Sequence, residues 1–242
     1  MSNTPTAHIG ARPEDIANVV LMPGDPKRSR FIAENFLEGA RLINDLRGVQ
    51  GYTGSYRGRR VTVMASGMGM PSMGIYSYEL FSFFGVEAIM RIGTVGGMSE
   101  RVRVRDLILG MGASTDSAFA TQYHLPGSFA PLCSYPLLSA ATAIAEREGM
   151  RYHVGNLLST DVFYWDDPTD NERWRRLGIL GVEMEAAALY MNAARTGKQA
   201  LAICTVSNHL VTGEETTAAE RETTFTDMMT LALETALTVK EG

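Results

Sequence analysis

The 242-residue chain holds only two cysteines, Cys133 and Cys204, and no Cys-x-x-Cys pair. That scarcity excludes a disulfide scaffold and a thiolate zinc site, and it suits a reducing cytoplasm. Cationic excess is missing too: 22 Lys and Arg stand against 27 Asp and Glu, a net charge of −5. Such a balance carries no electrostatic footprint for nucleic acid or an anionic membrane, so any bound anion is held by a local site. The four histidines, His8, His124, His153 and His209, lack metal-ligand spacing, so no metal is expected. The amino terminus has neither the basic nor the apolar region of a signal peptide. The longest charge-free stretch, Ser117 to Ala145, contains Pro126, Pro131 and Pro136, so it does not read as a transmembrane helix.

What is present is ordinary for a globular protein: 45% hydrophobic and 20% charged residues, with no repeat or low-complexity segment. Residues 1–242 read as a single domain. Apolar runs predict strands at Asn18–Met22, Arg60–Ala65, Glu87–Ile92, Asp106–Gly110, Val154–Leu158, Ile179–Glu183 and Gln199–Ser207. Helices are predicted from Asp25-Pro26 to about Leu37, and over Pro71–Phe84, Pro136–Glu148, Ala186–Arg195 and Thr216 to about Lys240. Ser114–Tyr135 reads as loop. This alternation predicts an α/β fold with a mixed, mostly parallel central sheet flanked by helices. Ligands in such folds collect at the carboxyl ends of strands.

Those ends carry the candidate chemistry. Pro23-Gly24-Asp25-Pro26 leads into a helix with Arg28 one turn in, a turn that can cradle phosphate or merely carry a solvated arginine. Arg91 lies inside an apolar run and needs an anion or a carboxylate partner. Thr94-Val95-Gly96-Gly97 follows it, without the spacing of a dinucleotide fingerprint. Glu183 and Glu185, two apart, are expected to point into one cleft, where paired carboxylates suit a diol, a metal or acid–base work. Ser207-Asn208-His209 ends the most apolar strand as a polar rim.

Taken in order, several segments resemble the bacterial hexameric purine nucleoside phosphorylases. They are Met22-Pro23-Gly24-Asp25-Pro26, Arg47-Gly48 with Gly51-Tyr52-Thr53-Gly54, and Gly67-Met68-Gly69-Met70-Pro71-Ser72. Arg91-Ile92-Gly93, Gly181-Val182-Glu183-Met184-Glu185-Ala186-Ala187 and Thr217-Ala218-Ala219-Glu220-Arg221 complete the set. The resemblance implies that phosphate attacks C1′ of a purine nucleoside, giving free base and ribose 1-phosphate, with phosphate a co-substrate and no cofactor. It implies phosphate held by Gly24, Arg28, Arg91 and Thr94, with Arg47 from a neighbouring subunit. Glu185 and Met184 would hold the ribose, with the neighbour's His8 at the 5′-hydroxyl. Val95, Gly96, Phe163, Val182, Glu183, Ser207 and Asn208 would line the base site. A hexamer built as a trimer of dimers is implied.

One position departs from the family pattern. Adenosine-accepting members carry an aspartate, assisted by the arginine matching Arg221, where this chain has Asn208. An amide has no proton to give to N7 of the leaving purine. It can match a 6-oxopurine, so inosine and guanosine are expected over adenosine. Uridine phosphorylases of the same superfamily carry a Gln-x-Arg pair beyond the segment matching Asp161–Tyr164; Asn171-Glu172-Arg173 lacks the glutamine. A hydrolytic nucleosidase would not need three arginines around one anion. A non-catalytic nucleoside-binding protein would bind without releasing base.

Overall fold

Four consecutive apolar residues, Val19–Met22, form the first strand (β1), and all four are buried. In the computed structural model, which describes residues 4–167, 169–217 and 225–240, β1 lies inside a nine-stranded sheet. The other strands are β2 (Glu38–Asn44), β3 (Gly51–Tyr56), β4 (Arg59–Met64), β5 (Ala88–Gly97), β6 (Leu107–Thr115), β7 (Tyr152–Ser159), β8 (Gly181–Glu183) and β9 (Gln199–His209). The α-helices among the described residues are α1 (Pro26–Phe36), α2 (Met70–Phe83), α3 (Tyr135–Arg147), α4 (Asp170–Arg175), α5 (Ala186–Thr196) and α6 (Thr226–Ala236). None of the described helices is long and apolar enough to cross a membrane.

The strand order is β2-β3-β4-β1-β5-β8-β7-β6-β9, and β9 also pairs with β5, so the last five strands close a ring. β1 runs parallel to β4 and β5, β9 parallel to β5, and β7 parallel to β6 and β8. The β2–β3, β3–β4, β5–β8 and β6–β9 pairs are antiparallel. This is the mixed, mostly parallel α/β sheet that the alternating pattern predicts.

Successive side chains of a strand face opposite ways, and the sheet is covered on both sides. Val20, Met22 and Ile89 join a core with α2 and α5, including Met73, Leu80 and Leu189. Val19, Leu21 and Met90 join a second core with α1, α3 and α6, including Ile32, Leu138 and Leu231. Tyr190 of α5 is fully buried; its hydroxyl donates to Gly110 O and accepts from the Ala202 N–H at 2.9 Å. Tyr190→Phe therefore leaves a carbonyl and an amide unmatched, and is expected to lower stability by about 1–3 kcal/mol. Urea unfolding midpoints measure this; an unchanged midpoint would contradict it.

The structure departs from the sequence reading in several places. β2 is an exposed edge strand with burial only at its end, so it carries no apolar alternation to read. β3 is half glycine and hydroxyl residues, and Gly54 lets β2 approach: a Cβ there would lie 2.9 Å from Glu38 O. β5 continues through Thr94–Gly97, beyond the predicted strand end at Ile92, because β9 and β8 pair with it to that point. The helix predicted from Thr216 is described from Thr226, residues 218–224 lying outside the described residues, and Thr216 itself is not helical: its N–H and hydroxyl both donate to Ser207 O, at 2.9 and 2.8 Å, which holds it along β9.

Candidate active site

At the carboxyl end of β1, two turns sit back to back. Ser66 N–H donates to Pro23 O at 2.8 Å, and a Cβ on Gly24 would lie 3.3 Å from Gly67 O. Only a glycine-lined turn leaves this much open backbone. Asp25 caps α1 by accepting from Lys27 N–H, and Arg28, 5% exposed, sits in the helix's first turn. Met22 pairs with Arg91 of β5, so the turn and Arg91 are neighbours across the sheet.

Arg91 is the centre of the charge arrangement. It is 4% exposed, its Nε donates to Glu183 Oε2 at 2.7 Å, and its Nη2 is paired with Glu185. Burial pulls its pKa down, but the charges of Glu185 and Glu183 outweigh burial and hold the guanidinium above its usual range. Burial raises the Glu185 carboxyl above the usual carboxylate range, with Arg91 opposing. Glu185 stands at the N-cap position of α5 without capping it, and its Oε1 accepts from Gly69 N–H at 2.6 Å, which ties it to the second glycine turn.

Glu183 corrects the sequence expectation. Its carboxylate is fully enclosed and accepts from Arg91, Ser159 Oγ, Glu185 N–H and Ala186 N–H. The two carboxylates do meet, at Arg91, but Glu183 is turned to the start of α5 and offers no oxygen to a base. Val95 is corrected likewise: it is 1% exposed and its side chain packs over Gly181, leaving only backbone for a ligand.

A second group lies along the ends of β5, β8 and β9. Gly96 faces Val182 on β8 and Asn208 on β9. A Cβ on Gly96 would lie 3.4 Å from Val182 Cγ1 and 3.5 Å from Asn208 Nδ2. Thr94, Gly96, Val182, Met184 and Asn208 are each partly exposed among buried neighbours. Val95 pairs with Val206 and Gly96 with Asn208, so Ser207 is a bulge residue, the device that re-aims a side chain at a strand end. The buried Ser207 hydroxyl donates to Asn208 Oδ1 at 3.0 Å, which fixes the amide with its Nδ2 toward Gly96.

Phe163 is 71% exposed and touches Tyr164, ring centroids 4.9 Å apart. Its loop is anchored by Asp116, which accepts from Thr160 Oγ1 at 2.8 Å and Asp161 N–H at 3.2 Å. His8 is bound to Glu79 Oε1 at 2.7 Å and meets Tyr76 edge-on. Arg47 is exposed, in a left-handed conformation with φ 58°, and its charge acts on Tyr76. These two therefore group with α2 rather than with Arg91 and Glu185. Arg221 lies outside the described residues. The sequence reading gave no role to Ser159, Gly69 N–H or Gly93, although the Gly67-Met68-Gly69 turn and Arg91-Ile92-Gly93 stood among the matching segments.

The sequence profile of the phosphorylase superfamily matches residues 18–239. The chain is 52% identical over 231 residues to a DeoD-type purine nucleoside phosphorylase of Roseobacter denitrificans, covering 96% of this chain and 99% of that one. It is 51% identical to the Clostridium novyi protein of the same name, with the same coverage. It is 49% identical over 232 residues to that of Yersinia enterocolitica, covering 96% of each. The sheet, the glycine turns around Arg91 and these likenesses along nearly the whole length agree, and the chain belongs to the phosphorylase superfamily, in its branch of DeoD-type purine nucleoside phosphorylases.

Proposed function

We propose that the chain cleaves purine nucleosides with inorganic phosphate, releasing free base and pentose 1-phosphate, and prefers 6-oxopurines. No cofactor takes part in this reading; phosphate is a co-substrate. The observation that carries it is the enclosed Arg91 beside the Gly24 turn, at the strand end where Arg28 and Thr94 also lie. A phosphate there meets charge-assisted donors held in place before it arrives. Glu185 accepts from the ribose hydroxyls, with Met184 against the sugar, and positive charge growing at C1′ falls near that carboxylate. Exposed Arg47, and His8 on the α2 face, suit groups that reach a neighbouring subunit, which supports a homo-oligomer as the working form; the trimer of dimers is what the family resemblance implies.

The base preference rests on the Asn208 amide. Its Oδ1 accepts from Ser207, so its Nδ2 is the end offered to a base. A 6-oxopurine presents N7 and O6 as adjacent acceptors, whereas adenine presents N7 and an amino donor. Adenine thus sets a donor against a donor, a mismatch of about 1–3 kcal/mol or roughly 5- to 150-fold. Phe163, Val182 and Gly96 supply the flat walls.

The test is base release from inosine, guanosine, adenosine and uridine, each with and without phosphate. Phosphate-dependent release from inosine and guanosine, with adenosine at least about fivefold poorer in kcat/KM, is expected. Release without phosphate would overturn the phosphorolysis; equal use of adenosine would overturn the amide argument. Asn208→Asp supplies an acid for N7 and is expected to raise the adenosine-to-inosine ratio by about tenfold or more. An unmoved ratio in the folded variant would count against the role of Asn208.

A further inference from the structure

The Glu183 carboxylate is fully enclosed, and both of its oxygens are occupied by protein donors. Its Oε2 takes Arg91 Nε at 2.7 Å and Glu185 N–H at 2.9 Å; both oxygens lie 3.0 Å from Ala186 N. Its Oε1 also takes the hydroxyl of Ser159, which faces it across the β7–β8 pair. Ser159 Oγ in turn accepts from Ala187 N–H at 2.9 Å. A third side closes the figure, because Arg91 Nη2 meets Glu185 directly. One buried anion therefore holds the guanidinium on one side and, on the other, the backbone from which Glu185 projects.

From this triangle we propose that Glu183 is a positioning residue, which sets Arg91 for phosphate and Glu185 for the sugar hydroxyls as one unit. The inference rests on the phosphorolysis reading above. Glutamine fits the space but fails the pattern. Its NH₂ is a donor, and every neighbour of this carboxylate is a donor. Ser159 Oγ already accepts from Ala187, and taking the amide on its second lone pair turns its own proton away from residue 183, so the hydroxyl loses this acceptor. Either amide orientation pushes away Arg91 or the first N–H groups of α5, and the charge that holds the guanidinium is lost. A purely structural ion pair would lower stability and leave both substrate affinities alone. A positioning residue moves both affinities together, since both binding groups hang from it.

The experiment is steady-state base release over a matrix of inosine and phosphate concentrations, with thermal unfolding, for the parent, Glu183→Gln and Ser159→Ala. In Glu183→Gln the KM for phosphate and the KM for inosine are both expected to rise about tenfold or more, beyond any change traceable to unfolding. Ser159→Ala removes one donor and keeps the charge, so both KM values are expected to rise together by a smaller factor. Folded variants with both KM values unmoved would overturn the proposal, and so would a rise in only one. If Glu183→Gln does not fold, folded Ser159→Ala decides by the same criterion. Failure of the phosphorolysis reading itself is seen separately, as base release by the parent protein that ignores phosphate.

Discussion

Arg91→Leu is expected to destabilise the fold by about 3–5 kcal/mol and to lower phosphate-dependent base release by roughly 10²–10³-fold. The side chain is 4% exposed and pairs with two buried carboxylates, so its loss leaves Glu183 and Glu185 side by side without a cation. Glu183 keeps its N–H and hydroxyl donors, so Glu185 is the one driven to take a proton. Glu185 already sits above the usual carboxylate range through burial, with Arg91 opposing, and losing Arg91 moves it further up. A carboxyl whose pKa is raised by folding binds more protons folded than unfolded, so stability falls as pH rises through and above the ordinary carboxylate range. The deficit against the parent is thus expected to be larger at about pH 8 than at about pH 5. Urea unfolding at the two values measures it; a deficit under about 1 kcal/mol, or one independent of pH, would refute the account.

Gly93→Ala is the second large effect, from a single added methyl. A Cβ at Gly93 would stand 2.8 Å from Arg91 Cζ and Nη2 and 2.9 Å from Nη1. A free arginine would swing aside. This one is held by Glu183 and Glu185, so the methyl must displace the whole group. A misplacement of about 1 Å in a positioned charge is worth on the order of 10²-fold, and kcat/KM for phosphate is expected to fall by about that factor. Overpacking adds about 1–3 kcal/mol of instability. Gly127→Ala, at a position with nothing within 4 Å of the new Cβ, is the control and is expected to leave both quantities unchanged. A Gly93→Ala protein with parental phosphate kinetics would show that the guanidinium can yield.

The parts of the site that were legible in the sequence are those fixed by local chemistry. Asp25-Pro26 announces a capped helix, and the cap is there. An arginine inside Ile89-Met90-Arg91-Ile92 demands a partner, and Glu183 and Glu185 supply it. The direction of Glu183 was not legible: two-apart spacing puts carboxylates on one face only while the strand lasts, and β8 ends at Glu183. Nor was the bulge at Ser207, since an extra residue in a ladder exists only relative to its partner strand. β2 escaped for a similar reason, as an edge strand borrows its form from the neighbour it pairs with rather than from its own pattern.

The β5–β9 ladder also bears on how the chain comes into being. Ala88 pairs with Gln199 and Arg91 with Ala202, so the strand that carries Arg91 lacks its β9 neighbour until most of the chain has been made. At roughly 5–20 residues per second of synthesis, the roughly 110 residues between the partners take on the order of 5–20 s to emerge. Contacts this distant in sequence make folding slow, and an apolar strand left waiting is open to wrong association. The nascent amino-terminal half therefore depends on the last strand of the ring, and the pocket around Arg91 is among the last parts of the molecule to exist.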